Sequence, residues 1–132
     1  MKDTSKATLD RIFSEYIRRR DADSNGYVRC ISCGKVIHWK DSDCGHYINR
    51  QHNSVRYDEM NCNAQCRKCN RFDEGNIHGY RKGLIKKYGE KAVELLEMKK
   101  FNKCKLGKLE INALAEEYRK KLKDEKNKLF QP

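Results

Sequence analysis

The stretch Cys30-Ile31-Ser32-Cys33-Gly34, then Asp43-Cys44-Gly45-His46-Tyr47-Ile48, then Asp58-Glu59-Met60-Asn61, closing on Cys66-Arg67-Lys68-Cys69-Asn70, decides how this chain is read. Two residues between cysteines make a tight turn that aims both sulfurs at one ion. Two such turns complete a closed tetrahedron of thiolates, the donor set of a structural zinc. Cys30, Cys33, Cys66 and Cys69 are therefore read as zinc ligands, and the 32 residues from Gly34 to Gln65 have room for a hairpin and a loop. A site closed by four thiolates offers no open position, so its metal is architectural and chemistry must come from elsewhere.

The need for a staple follows from composition. The chain has 132 residues, 37% hydrophobic and 37% charged, with a mean hydropathy of −1.04. That length holds one domain, and apolar burial alone is thin for a chain so polar. Seven cysteines are an odd number, and no secretory segment or run of some 18 apolar residues is present, so a disulfide scaffold and a membrane span are not expected. The cysteines read as reduced and cytosolic. Cys44, Cys62 and Cys104, outside the zinc set, read as small hydrophobes, buried or half-buried. The formal net charge of +11 favours a polyanionic partner.

Outward from the bracket the pattern changes. Thr4 to Arg20 carries Leu9, Ile12, Phe13, Tyr16 and Ile17 at helical spacing, with Asp3, Thr4 or Ser5 as cap. Asp21 to Gly26 is a turn-rich break. Strand-prone pieces fall at Tyr27-Val28, Val36 to Trp39 and Tyr47-Ile48. Helix returns from about Ile77 to Met98, divided near Gly89, and again from Leu109 to Leu129, where Ile111, Leu114, Ala115, Tyr118 and Leu122 share a face. The chain is thus expected as α+β: an N-terminal helix and turn (1–26), a zinc-stapled core with following helices (27–98) and a basic C-terminal helix (99–132). The last apolar stripe is expected to pack on the core or on a second copy of the chain.

Inside the zinc frame stand residues suited to phosphodiester hydrolysis, which needs a base for water and a cation for the phosphate. A neutral imidazole, His46, suits the first task. A hard divalent ion such as Mg2+ or Mn2+, held by Asp or Asn oxygen, suits the second. Asn70 directly follows a cysteine turn that would aim its side chain, and Asn61 is placed to hold the loop after His46 through backbone hydrogen bonds. Each residue alone also reads as structural: a satisfied histidine, a turn residue, a helix cap. Arg50, Arg56, Arg67, Lys68, Arg71 and Arg81 cluster in sequence around these groups and would hold a DNA backbone by charge, with His52 near Arg50 and Arg56. His38, His78, Glu94 and Glu97 are weaker candidates. His78 would share a helix with Asn70, two turns on.

The order of His and Asn residues resembles the HNH (ββα-metal) nucleases. The runs Cys30 to Gly34, Asp43 to Ile48 and Arg56 to Asn70, continued by Gly75-Asn76, Tyr80 to Ile85 and Tyr88-Gly89-Glu90, are similar to the NinG (Rap) recombination proteins of lambdoid phages. The zinc frame with its Asn also resembles the phage endonuclease VII resolvases. The resemblance implies a small HNH-like core and a metal-dependent endonuclease on branched recombination intermediates such as Holliday junctions, working in the cytoplasm of a bacterial host. By position it makes His46 the general base and Asn70 a ligand of the catalytic metal, with 5′-phosphate and 3′-hydroxyl products. Many nucleases of that class carry an Asp directly before the base; here that position is Gly45, and Asp43 becomes the candidate ligand. A two-fold junction would suit a homodimer. A nicking enzyme on ordinary duplex and a zinc-stapled DNA-binding module without catalysis remain the alternatives.

Overall fold

The structure, a computed structural model, describes residues 3–128; residues 1–2 and 129–132, which the expected first and last segments include, lie outside them. The fold is α+β, with five helices and two small antiparallel sheets among the described residues.

Helix α1 (Lys6–Arg20) begins where Ser5 Oγ accepts the Thr8 N–H at 3.1 Å, satisfying one donor that a helix start leaves open. Leu9, Ile12, Phe13, Tyr16 and Ile17 are buried along it. Helix α5 (Lys108–Lys128) lies against that face through Ala115, Tyr118 and Leu122. Phe13 meets Tyr118 and Tyr57 edge-on, with ring centroids 4.8 and 5.4 Å apart, the geometry favoured by the ring quadrupoles. The first and last helices therefore share one core, so the α5 stripe is covered within the chain and does not by itself call for a second copy.

In sequence the two sheets lie between these helices. Strands β1 (Tyr27–Arg29) and β2 (Val36–His38) form a hairpin with Val28 opposite Ile37. Strands β3 (Ser42–His46) and β4 (Cys62–Cys66) form the second ribbon, with His46 opposite Cys62 and Cys44 opposite Ala64. The short helix α2 (Asn53–Arg56) lies in the loop between them. Helices α3 (Ile77–Tyr88) and α4 (Glu90–Lys99) break at Gly89, whose φ of +94° favours glycine. Their Tyr80, Leu84, Val93 and Leu96 form a second core with Val55. No helix among the described residues is long and apolar enough to cross a membrane.

Two expectations are corrected here. Tyr47-Ile48 is not strand; the strand is the preceding Ser42–His46. The Asn61 side chain takes the Ile48 N–H (2.8 Å) and donates to the Ile48 carbonyl (3.0 Å), so neither group is left for a ladder. Asn70 and His78 also do not share a helix. Asn70 sits in a π-helical turn, Lys68–Phe72, and the chain then breaks at Glu74, Gly75 and Asn76, all with positive φ, before α3 begins. His78 is exposed on α3.

Candidate functional site

The four-cysteine frame is assembled from both sheets. Cys30 and Cys33 flank the β1–β2 turn, Cys66 ends β4, and Cys69 lies in the π-helical turn. Their sulfurs lie within 4.8 Å of one another. Cys33 and Cys66 sulfurs are 3.8 Å apart, the Cys69 N–H donates to Cys66 Sγ at 3.5 Å, and Asn76 Nδ2 donates to Cys69 Sγ at 3.3 Å. None is in a disulfide. Burial and its neighbouring thiols push the Cys69 thiol up to about 12, whereas at Cys30 the upward push of burial is outweighed by backbone N–H groups of Cys66, Cys33 and Ser32, which hold that thiol below its usual value. Soft donors in this number and arrangement fit a structural metal such as zinc. The other cysteines differ from one another: Cys62 is fully buried and Cys44 half-buried, whereas Cys104, expected at least half-buried, is exposed between α4 and α5.

His46 ends β3. Its Nε2 lies 3.0 Å from the Arg56 carbonyl oxygen; because a carbonyl only accepts, Nε2 carries the proton and Nδ1 keeps the lone pair. Burial pushes the imidazole below the usual histidine value of 6.5, outweighing the Arg56 carbonyl, which favours the charged form. The ring is therefore neutral at neutral pH. Beneath it Asn61, fully buried, ties the loop after β3 to α2: besides Ile48 it donates to the Val55 carbonyl at 3.1 Å, and its own carbonyl accepts the Tyr47 N–H. Tyr80, from α3, donates to the Gly45 carbonyl at 2.7 Å and so braces β3 from the other side.

Asn70 and Asp43 meet directly. Asn70 Nδ2 donates to Asp43 Oδ2 at 2.9 Å. Arg71 donates to both Asp43 oxygens at 2.8 and 2.9 Å. Burial pushes the Asp43 carboxyl up, but Arg71 and Asn70 outweigh it and hold the group below the usual carboxylate range. A carboxylate and an amide oxygen form a hard donor pair that fits Mg2+ or Mn2+, ions that keep several waters. The Arg71 side chain is largely exposed.

The structure also explains the glycine before His46. A Cβ on Gly45 would sit 2.0 Å from Gln65 Oε1. Gln65 is locked by donating to Ser32 Oγ and the Gly75 carbonyl, so it cannot yield cheaply. No side chain fits there, and the carboxylate beside Asn70 comes from Asp43 instead. Strand pleating places Asp43 and His46 on opposite faces of the ribbon. Both still line one cleft of about 890 Å³, together with Asn70, Arg50, Arg67 and Arg71, because the cleft follows the unpaired edge of β3.

Other expected residues lie apart. Arg56 is turned inward onto Asp10 and Tyr57, and its contribution to the cleft is the carbonyl that orients His46. Arg81 pairs with Glu97 on α4, and Tyr47 donates to the same carboxylate. His52 precedes α2 without a capping bond, Lys68 is exposed outside the cleft, and His38 accepts the Lys40 N–H. Glu94 is exposed on α4. Conversely, α1 supplies a wall that the sequence reading missed: Asp10, Ser14 and Arg18, joined by Lys40. Their spacing of four, one polar stripe beside the apolar one, was the available signal.

Comparisons with known proteins identify relatives of the chain. The family model described as "NinG: Bacteriophage Lambda NinG protein" matches residues 2–128. Protein ninG of Escherichia phage 933W is 36% identical over 115 residues, 85% of this chain and 53% of that protein. Protein ninG of Escherichia phage lambda is 36% identical over 115 residues (85% and 52%), and that of Salmonella phage P22 is 37% identical over 112 residues (83% and 51%). The chain thus spans about half the length of the curated relatives it matches. No solved structure matches it.

Proposed function

The chain belongs to the NinG family, and we propose that it is a metal-dependent endonuclease of the HNH type that acts on branched DNA, a Holliday junction resolvase in kind. The observation that carries this reading is one basic cleft holding a neutral, carbonyl-anchored His46 and the Asp43–Asn70 pair.

In this reading the residues divide the work. His46 accepts a proton from water at its unprotonated nitrogen, and the Arg56 carbonyl stabilises the imidazolium that forms. A hard divalent ion on Asp43 and Asn70, when bound, supplies the positive charge that neutralises the phosphate and the departing 3′ oxygen. Arg50, Arg67, Arg71 and, from α1, Arg18 hold backbone phosphates without reading bases, which suits a substrate recognised by shape. The zinc frame holds the turn that carries Asn70. A homodimer would supply the second incision that a symmetric junction needs; its contact would lie elsewhere than the α5 stripe, which α1 covers. The host cytoplasm is the corresponding compartment.

The pH profile of incision tests the base. His46 must be neutral to accept a proton, so activity is expected to be complete at neutral pH and to fall as pH drops through its lowered value. Since kcat/KM reports the free enzyme, its acid limb on a labelled four-way junction in Mg2+ should lie below pH 6.5. The limb in kcat should lie higher, because bound phosphates favour the charged imidazole. An acid limb of kcat/KM above the ordinary histidine value would contradict His46 in this role.

A further inference from the structure

We propose that Cys44, His46 and Cys62 form a second, thiophilic metal site, distinct from both the four-cysteine frame and the Asp43–Asn70 pair, that takes one zinc-class ion with an open position toward the cleft. The register of the second ribbon creates it. Cys44 and His46 are two apart on β3 and project from one face, and Cys62 lies opposite His46 on β4, so all three share that face. The two Sγ atoms and one imidazole nitrogen lie within 4.8 Å of one another, close enough for small side-chain adjustments to bring all three onto one ion. Cys62 is the buried floor, while Cys44 and His46 line the cleft and leave an entry path.

The donor set selects the ion. Two sulfurs and an imidazole suit zinc, cadmium or cobalt and leave magnesium, which takes oxygen, to Asp43 and Asn70. Two thiolates would neutralise a divalent ion. Three protein ligands leave the fourth position to water or to a ligand from the cleft.

One consequence rests on the nuclease reading. An imidazole bound to an ion has no lone pair left for water, so filling this site would silence the base. A zinc-class ion would then inhibit while magnesium supports incision.

The test is an equilibrium zinc titration of the full chain under a non-thiol reductant, read against a chromophoric chelator. Wild type is expected to bind two ions, and Cys44→Ala and His46→Ala one each, the retained ion reporting that the four-cysteine frame has folded. Wild type binding a single ion, or both variants still binding two, overturns the site. Inhibition of junction incision by zinc beyond the first equivalent, measured relative to each protein's own rate at one equivalent, is expected in wild type and lost in Cys44→Ala. If the chain cuts no DNA, the titration still decides the site, so failure of the nuclease reading and failure of this inference are distinguishable.

Discussion

His46→Ala is expected to lower junction incision by about 10²- to 10⁴-fold, the range for losing a positioned general base, while affinity for the same junction in a mobility-shift assay stays at the wild-type level. The imidazole is the group that combines a cleft position, a neutral ring and a partner that fixes its tautomer. The arginines proposed to hold phosphate are separate side chains, so binding should survive. The substitution also removes the hydrogen bond to the Arg56 carbonyl, worth about 1 kcal/mol, so the melting temperature should fall by only a few degrees. A wild-type rate in the variant removes His46 from the mechanism; rate and affinity falling together would point to a structural histidine.

Cys66→Ser should do something different in kind: the protein should lose its bound zinc and its cooperative melt. Cys66 is buried at the end of β4, accepts the Cys69 N–H and lies against Cys33, so it joins the strand to both cysteine turns. Structural zinc binding contributes about 10–16 kcal/mol of folding free energy in small metal-stapled domains, against a total stability of about 5–15 kcal/mol. Losing one of four thiolates in such a balance leaves the native state unfavourable. Exhaustive chelation of the wild type should give the same circular dichroism spectrum as the variant. Cys104→Ser, exposed and outside both groups of candidate ligands, should change nothing. A zinc-free Cys66→Ser protein that melts cooperatively within a few degrees of wild type would contradict the architectural role.

What was legible in advance was what short-range chemistry dictates. Two Cys-x-x-Cys pairs in one polar chain point to a four-thiolate site, and the stripes of α1 and α5 announce buried helix faces before any partner is known. The remainder depended on contacts remote in sequence. Ser42–His46 carries little strand propensity and is strand because β4 pairs with it, while Ile48 is diverted by the Asn61 amide. Gly45 looked like a departure from a motif, and only the position of Gln65, twenty residues on, shows why no side chain fits. Arg56 counted as one more cation until Asp10, on α1, and Tyr57 claimed it. The helix that would have carried both Asn70 and His78 is broken by three consecutive positive φ angles, of which those at Gly75 and Asn76 have a local signature and that at Glu74 has none.

The most direct measurement of the central claim incubates the purified protein, in Mg2+, with a labelled four-way junction and a linear duplex of matched sequence. The account predicts paired incisions near the branch point of the junction, ends carrying 5′-phosphate, and little cutting of the duplex. Equal nicking of both substrates would contradict branch selectivity. Tight junction binding with no incision of either, in Mg2+ or Mn2+, would contradict the nuclease itself.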